Sequence, residues 1–192
     1  NPGPTATDDT NTTSENVNTS GDVLTNDSDP DGDALSVLSV NGLPGNVGSG
    51  VTGSNGGTFT LQSDGSYTFE PGTAFDDLAV GESRQTSVTY VVTDSQGGTS
   101  SATVTITVNG TNDGPTSTSI ADQTDIDNTG VTLDVSGSFS DVDTSDVLSF
   151  SAGGTLPPGL SIDSNTCVIS GTLAANASVG SAYSVTITAT DP

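Results

Sequence analysis

Histidine, lysine, methionine and tryptophan are missing from this sequence of 192 residues, which holds one arginine, Arg84, and one cysteine, Cys167. Each absence excludes something. With one basic residue against 24 acidic ones, the formal net charge is −23. Such a chain lacks the Lys and Arg that neutralise phosphates, so anionic membrane surfaces are poor partners and nucleic acid is not expected as one. Without His or Lys there is no base to activate a Ser or Cys nucleophile, and an enzyme is not expected. Paired acids can serve glycoside hydrolysis, but here they sit in Asp/Gly loops suited to metal. The lack of Lys also rules out Lys–Asn isopeptide crosslinks. One cysteine permits no intrachain disulfide, so a small exported domain needs another staple, and metal ions are the obvious one. Cys167 itself is expected to be a small, half-buried residue. Without Trp there is no broad platform for a sugar ring, and Phe59, Tyr67, Phe69, Tyr90 and Phe150 fall in alternating stretches that mark them as core. No run approaches the about 18 apolar residues of a membrane helix, so direct membrane insertion is not expected. No signal peptide is visible, and the opening Asn1-Pro2-Gly3-Pro4 reads as the middle of a longer polypeptide.

What remains is Thr, Ser, Val and Gly, with 30% hydrophobic residues and 4% aromatics. That poverty would fit disorder, but the apolar residues alternate in short runs and show no helical period. The expected fold class is all-β, built as thin antiparallel sandwiches with small cores. Gly57-Thr58-Phe59-Thr60-Leu61 and Ser66-Tyr67-Thr68-Phe69 flank Ser63-Asp64-Gly65 and predict a hairpin. Thr86–Thr93 and Ala102–Val108 flank Gln96-Gly97-Gly98 and predict another. Thr103, Thr105 and Thr107 belong on its wet face, with Val104, Ile106 and Val108 inside. The Thr alternation resembles a flat ice-binding array, but an ordinary solvated sheet explains it more simply. Further on, Val131/Leu133/Val135, Leu148/Phe150 and Val185/Ile187 read as strands.

The chain also repeats itself. Asn1-Pro2-Gly3-Pro4-Thr5 returns as Asn112-Asp113-Gly114-Pro115-Thr116, and Ser20-Gly21 with the acids after it returns as Ser136-Gly137 with Asp141, Asp143 and Asp146. Val88–Asp94 returns as Val185–Asp191. Three landmarks in one order imply two modules, 1–111 and 116–192, joined by a linker at 112–115. Each should hold about seven strands. The second module stops at Asp191-Pro192, where the first continues for one more strand, so it is expected to lack its last strand, to be supplied by another chain through edge pairing or absent by truncation.

The carboxylates are clustered, which favours bound cations over a merely solvated acidic surface. Asn26-Asp27-Ser28-Asp29-Pro30-Asp31-Gly32-Asp33 spaces oxygens at every second residue around a glycine, a pattern that converges on a hard cation of six to eight ligands. It imitates the first half of an EF-hand loop, but position twelve is Leu38 and the flanks are β-like, so the expectation is Ca2+ in a β-loop. Asp141-Val142-Asp143 with Asp146 is a sparser copy. Asn112 and Asp113 of the linker should sit beside it, as should Asp191 at a strand end, and together they form a candidate interdomain cage.

These stretches resemble known families. VLTNDSDPDGDAL, GTFTLQSDGSYTFEPGTAFDDL and VTYVVTDSQGGTSSATVTITVNGTNDGP are similar to VCBS or bacterial cadherin-like repeats over roughly residues 4–115. ADQT, LPPGLSIDSNTCVISGT and YSVTITATD resemble the dystroglycan-type cadherin-like, or putative-Ig, repeat. Cys167 stands where that pattern usually has Gly, and Leu173 where it often has Pro. The resemblance implies a pair of Ig/cadherin-like sandwiches from a large calcium-dependent bacterial adhesin, secreted or at the cell surface. It implies calcium ligands at Asn112, Asp113, Asp141, Asp143 and Asp191, with Glu15, Asp76 and Asp77 as the preceding domain's share. An equivalent upper site takes Asp27, Asp29 and Asp94, with Asp31 and Asp33 adding ligands and Asp8 and Asp9 nearby. The implied role is an extender that holds distal binding domains away from the cell, its partners being neighbouring tandem repeats. The alternative is a carbohydrate-binding or homotypic adhesion module, accessory to a polysaccharide-degrading enzyme or meeting another adhesin chain.

Overall fold

Side chains that are apolar at every second position bury one face of a strand and leave the other wet. In the computed structural model, which describes residues 1–179 and 182–192, such stretches build a nearly all-β chain. It divides into two compact units, Asn1–Asn112 and Asp113–Pro192.

Unit 1 holds β1 (Asp9–Ser14), β2 (Thr19–Asp22), β3 (Ser36–Val40), β4 (Gly50–Thr52), β5 (Thr58–Leu61), β6 (Ser66–Glu70), β7 (Ser83–Thr93) and β8 (Thr99–Asn109). They form two four-stranded sheets, β1-β8-β7-β3 and β2-β6-β5-β4. Val88, Tyr90 and Val92 of β7 and Val104, Ile106 and Val108 of β8 face Phe59, Leu61 and Phe69 of the other sheet in one closed core. Phe69 lies 4.7 Å from the Phe59 ring and 6.3 Å from Phe75, edge-on to the latter. Each large apolar side chain taken out of water here contributes roughly 1.5–3 kcal/mol. Both expected hairpins are present, and Gly65, at φ +92°, makes the turn between β5 and β6. Not every pairing is antiparallel: β1 runs parallel to β8, from Asp9 beside Val104 to Ser14 beside Asn109. Parallel neighbours need a long crossover, and β2 to β7 supply it.

β1 lacks the apolar alternation of the other long strands because its inner face is polar. Asp9 accepts a hydrogen bond from the Tyr90 hydroxyl at 2.6 Å, and Asn11 donates to the Tyr67 hydroxyl at 3.1 Å and to the carbonyl of Ser20. The Thr13 hydroxyl donates to the carbonyl of Val17 at 2.6 Å. Burial, with the Asp9 carboxylate beside it, pushes the Tyr90 phenol well above its ordinary value. The lone arginine closes the other end of the unit: Arg84 holds both oxygens of Asp77, at 3.0 and 2.6 Å, and donates to the carbonyl of Ala74. Its guanidinium lies 5.9 Å from the ring centre of buried Phe75.

Unit 2 holds β9 (Thr116–Ser117), β10 (Gly130–Asp134), β11 (Phe139–Ser140), β12 (Ser149–Gly154), β13 (Leu160–Ile162), β14 (Val168–Thr172) and β15 (Val185–Thr190). Their pairings are β10-β14-β13, β12-β15 and β11-β9. The buried apolar residues are few among those described: Val135, Cys167, Ile169, Leu173 and Ala177. Cys167 is fully buried, not half-buried as expected, and its φ of +57° is the left-handed conformation that explains a glycine in the related repeats. Asp163 braces that turn by accepting from the N–H groups of Asn165 and Thr166. Burial, with the charge of Asp134, pushes the Cys167 thiol up. The N–H of Leu173 donates to the carbonyl of Thr129 at 3.0 Å, a bond that proline at this position would forfeit.

Candidate metal centres

The Asp-rich loop follows β2 and leads into β3, so its ends are tethered while Pro30 and Gly32 turn it. Asp29 organises it: one of its oxygens accepts the N–H of Asp31 at 2.8 Å and that of Asp33 at 3.3 Å. Asp29, Asp31 and Asp33 each bring a carboxylate oxygen to within 4.8 Å of the others. Asp27 stands outside that trio, with one oxygen accepting the N–H of Thr7 at 2.7 Å. Burial raises the Asp27 carboxyl above its ordinary value, against the Thr7 hydrogen bond, and the charge of Asp22 adds to the rise. Leu38, at the position where an EF-hand loop would carry Glu, is the exposed residue of a bulge in β3, where register shifts between Val37 and Ser39.

Asp94, expected in the same cage, is not in the trio. It is fully buried, and its carboxylate caps the β7–β8 turn, accepting from the N–H groups of Gln96 and Gly98 and from the Asn1 amide. Its burial acts to raise the carboxyl, but these hydrogen bonds outweigh it and hold the group below its ordinary value. Asp77 also has other work. A bidentate Arg84 holds both of its oxygens, so the structure shows Asp77 as the ion-pair partner of the lone arginine. Asp8 serves β8 by accepting the N–H of Thr103.

Glu15 is a stronger candidate than its sequence position implied. It lies just past β1, 1% exposed. One of its oxygens accepts both the N–H and the hydroxyl of Thr111, and the Asn16 amide donates to that hydroxyl at 3.2 Å. Sequence reasoning missed Thr111 and Asn16. The parity of β1, odd residues inward, was the signal that Glu15 points inside. In unit 2, the Asp143 N–H donates to one oxygen of Asp141 at 3.0 Å, and the Asp113 N–H donates to one oxygen of Asp143 at 2.8 Å. Asp143 is 1% exposed, Asp141, Asp113 and Asp191 are half-buried, and Asn112 is exposed.

One observation joins these residues. Among the described residues, the buried side-chain oxygens without a hydrogen-bond partner are Glu15 Oε2, Asp27 Oδ2, Asp29 Oδ2, Asp141 Oδ2 and Asp143 Oδ1. Buried polar atoms are nearly always satisfied, and a buried charge left unpaired is costly. All five are carboxylate oxygens in the stretches picked out as metal ligands. A donor set of hard oxygens, with no His and no Met in the chain, fits Ca2+ and not a soft metal.

Residues 1–110 match the bacterial cadherin-like domain, and residues 114–192 match the Putative Ig domain. The chain belongs to the bacterial cadherin-like domain family. Cadherin-like domains generally bind Ca2+, and cadherin-like and Ig-like domains are in general non-catalytic modules of extracellular, adhesin-type repeat proteins. No curated protein matches this cadherin-like chain. Among solved structures, protocadherin gamma C5 domains EC1-3 share 14% identity at a TM-score of 0.57, covering 98% of this chain and 62% of that one. Protocadherin gamma B2 domains 3-6 share 17% at 0.50, covering 96% and 46%. At these identities the likeness is one of fold. An endo-fucoidan hydrolase aligns with a TM-score of 0.36 at 20% identity, over 98% of this chain and 28% of the enzyme, too weakly to carry an argument. The chain thus spans less than two thirds of the length of each. Among the described residues, no helix is long and apolar enough to cross a membrane.

Proposed function

We propose that this chain is a calcium-rigidified extender segment of a bacterial surface adhesin, its neighbours in the polypeptide being further repeats. The carrying observation is the set of buried carboxylate oxygens without partners, on Glu15, Asp27, Asp29, Asp141 and Asp143. In a chain of net charge −23, such groups repel one another until a cation neutralises them. In this reading Glu15, held beside Thr111, takes an ion within unit 1, where Asn112 is a further ligand, and Asp143, held beside Asp113, takes one within unit 2 with Asp141 and Asp191, so that each ion stiffens its own end of the 112–115 linker. Asp27, Asp29, Asp31 and Asp33 serve the opposite end of unit 1. Extracellular modules bind calcium at about 10⁻⁴–10⁻³ M, so the segment is stiff outside the cell and loose where calcium is scarce.

The test is calorimetric titration with Ca2+, with melting and small-angle scattering in chelator. Calcium is expected to raise the melting temperature and reduce bending, and Asp143→Asn and Glu15→Gln each to weaken binding about tenfold, the loss of one charged ligand being worth ~1.4 kcal/mol. Unchanged melting and scattering under chelator would sink the reading.

A further inference from the structure

The sequence holds three Asn–Gly pairs, Asn41-Gly42, Asn55-Gly56 and Asn109-Gly110. In such a pair the glycine has no side chain to shield its own N–H from the asparagine side-chain carbonyl, which it reaches once the backbone between them rotates. Tertiary structure treats the three differently. The Gly56 N–H donates to the carbonyl of Gly53 at 3.1 Å, and that of Gly110 to the carbonyl of Glu82 at 3.0 Å. Gly56 is also packed against Ala74, and Gly110 against the carbonyls of Leu78 and Ala79. Asn41 and Gly42, at φ +47° and +76°, are instead the central residues of a tight turn that follows β3. Val40 and Leu43 close it with a pair of N–H to carbonyl bonds at 3.2 and 3.0 Å. Both turn residues are exposed, and open space surrounds Gly42. Its N–H meets no acceptor among the described residues.

The Asn41 amide is held from the other side. Its oxygen accepts from the Thr89 N–H at 3.0 Å and from the Thr89 hydroxyl at 3.3 Å, while the Asn41 N–H donates to the carbonyl of Thr89 at 2.8 Å. Two donors on one amide oxygen stand where negative charge gathers when its carbon is attacked. The Asn55 amide is turned the other way, its nitrogen donating to the carbonyl of Gln85 at 2.7 Å.

We propose that Asn41 is a self-modification site: the Gly42 nitrogen attacks the Asn41 side-chain carbon, and the chain deamidates there ahead of its other Asn–Gly pairs. The bond from the Gly42 nitrogen to Cγ forms and the Cγ–Nδ2 bond breaks. The amide nitrogen leaves as ammonia, carrying the proton lost by the Gly42 N–H. Water opens the cyclic imide that remains. Its oxygen joins one of the two ring carbonyl carbons, one proton goes to the nitrogen released, and the other goes to solvent as the new carboxyl ionises. Opening at the side-chain carbon gives ordinary aspartate, and opening at the backbone carbon gives an isoaspartyl link with an extra methylene in the main chain. Either product adds a negative charge. The isoaspartyl form lengthens a turn of only two residues, whose geometry sets the strand register, so the turn parts from Thr89 and the end of β3 loosens from β7. The chemistry needs no calcium and stands apart from the metal reading.

The test incubates the full 192-residue chain at mildly alkaline pH and follows the three sites by peptide mass spectrometry. A protease that cuts before aspartate but not before isoaspartate tells the products apart. Native Asn41 is expected to convert about tenfold or more faster than Asn55 or Asn109, whose glycine N–H bonds must first break. In denaturant the three rates should converge. T89V, which deletes the hydroxyl donor and keeps the shape, should slow Asn41 several-fold and leave the other two sites alone. In the converted chain, amide hydrogen exchange at Leu43 and Thr89 should quicken while that at Val104 and Ile106 does not. Native conversion of Asn55 or Asn109 as fast as that of Asn41, a T89V chain that converts as fast as the parent, or unchanged exchange after conversion overturns the proposal.

Discussion

β7 and β15 carry nearly the same pattern, Val-Thr-Tyr-Val-Val-Thr-Asp against Val-Thr-Ile-Thr-Ala-Thr-Asp, and meet different fates. The apolar residues of β7 are sealed between two four-stranded sheets, whereas those of β15 look into an open groove. Alternation makes a strand able to bury a face, but the burial is delivered by the strands around it. Unit 1 therefore carries a continuous core from Val23 to Val108, and unit 2 has only scattered buried residues among those described.

The sharpest way to break this comparison is to remove a large side chain from each unit. Phe69→Ala empties a site packed by two other rings and should cost about 3–5 kcal/mol, while Ile187→Ala, half-exposed, should cost less than about 2 kcal/mol. Denaturant unfolding of the two variants measures the difference. Equal losses would mean that unit 2 is closed in solution and that the contrast is wrong.

A smaller effect separates the acids by pH. Burial raises Asp9 and Asp27 above the ordinary carboxyl value of 3.8, whereas hydrogen bonds from Ser136 hold Asp134, and those from Asn165 and Thr166 hold Asp163, below it. A raised group favours the fold while protonated, and that contribution is lost as pH rises through its folded value. A lowered group favours the fold above 3.8, and its contribution is lost as pH falls through its folded value. Carboxyl ¹³C titration without calcium should place the first pair above 3.8 and the second below. Calcium should then draw Asp27 down and leave Asp134 and Asp163 where they were. Asp27 titrating below 3.8 without metal would contradict the burial seen here.

The least perturbing probe is Cys167. Fully buried and with its thiol pushed up, it should react with a disulfide reagent about 10²-fold or more slowly in the native chain than in denaturant. Fast native labelling would show that unit 2 opens easily even at its tightest point.

Much of the fold is legible in the sequence, for particular reasons. The hairpins β5–β6 and β7–β8 announce themselves because their inner residues are apolar and their turns hold Gly65 or Gly97 at positive φ. β1 did not, because Asp9, Asn11 and Thr13 point inward and are satisfied by Tyr90, Tyr67 and the carbonyl of Val17, partners far along the chain or around a turn. The Asp29–Asp31–Asp33 trio was readable from spacing, since a Gly turn brings near neighbours together. The jobs of Asp77 and Asp94 were not, since carboxylates look alike in sequence and only Arg84 or a turn of N–H groups tells an ion pair or a cap from a ligand.

By itself the sequence determined the all-β class, the two-module repeat and the stretches where acids gather, because alternation, turn residues and Asp spacing act over a few residues. Tertiary structure decided which of those acids are buried with an oxygen to spare, which are already spent, and which of two similar strands is covered. Those outcomes depend on what lies across the sheet, and a local pattern holds no information about its neighbour.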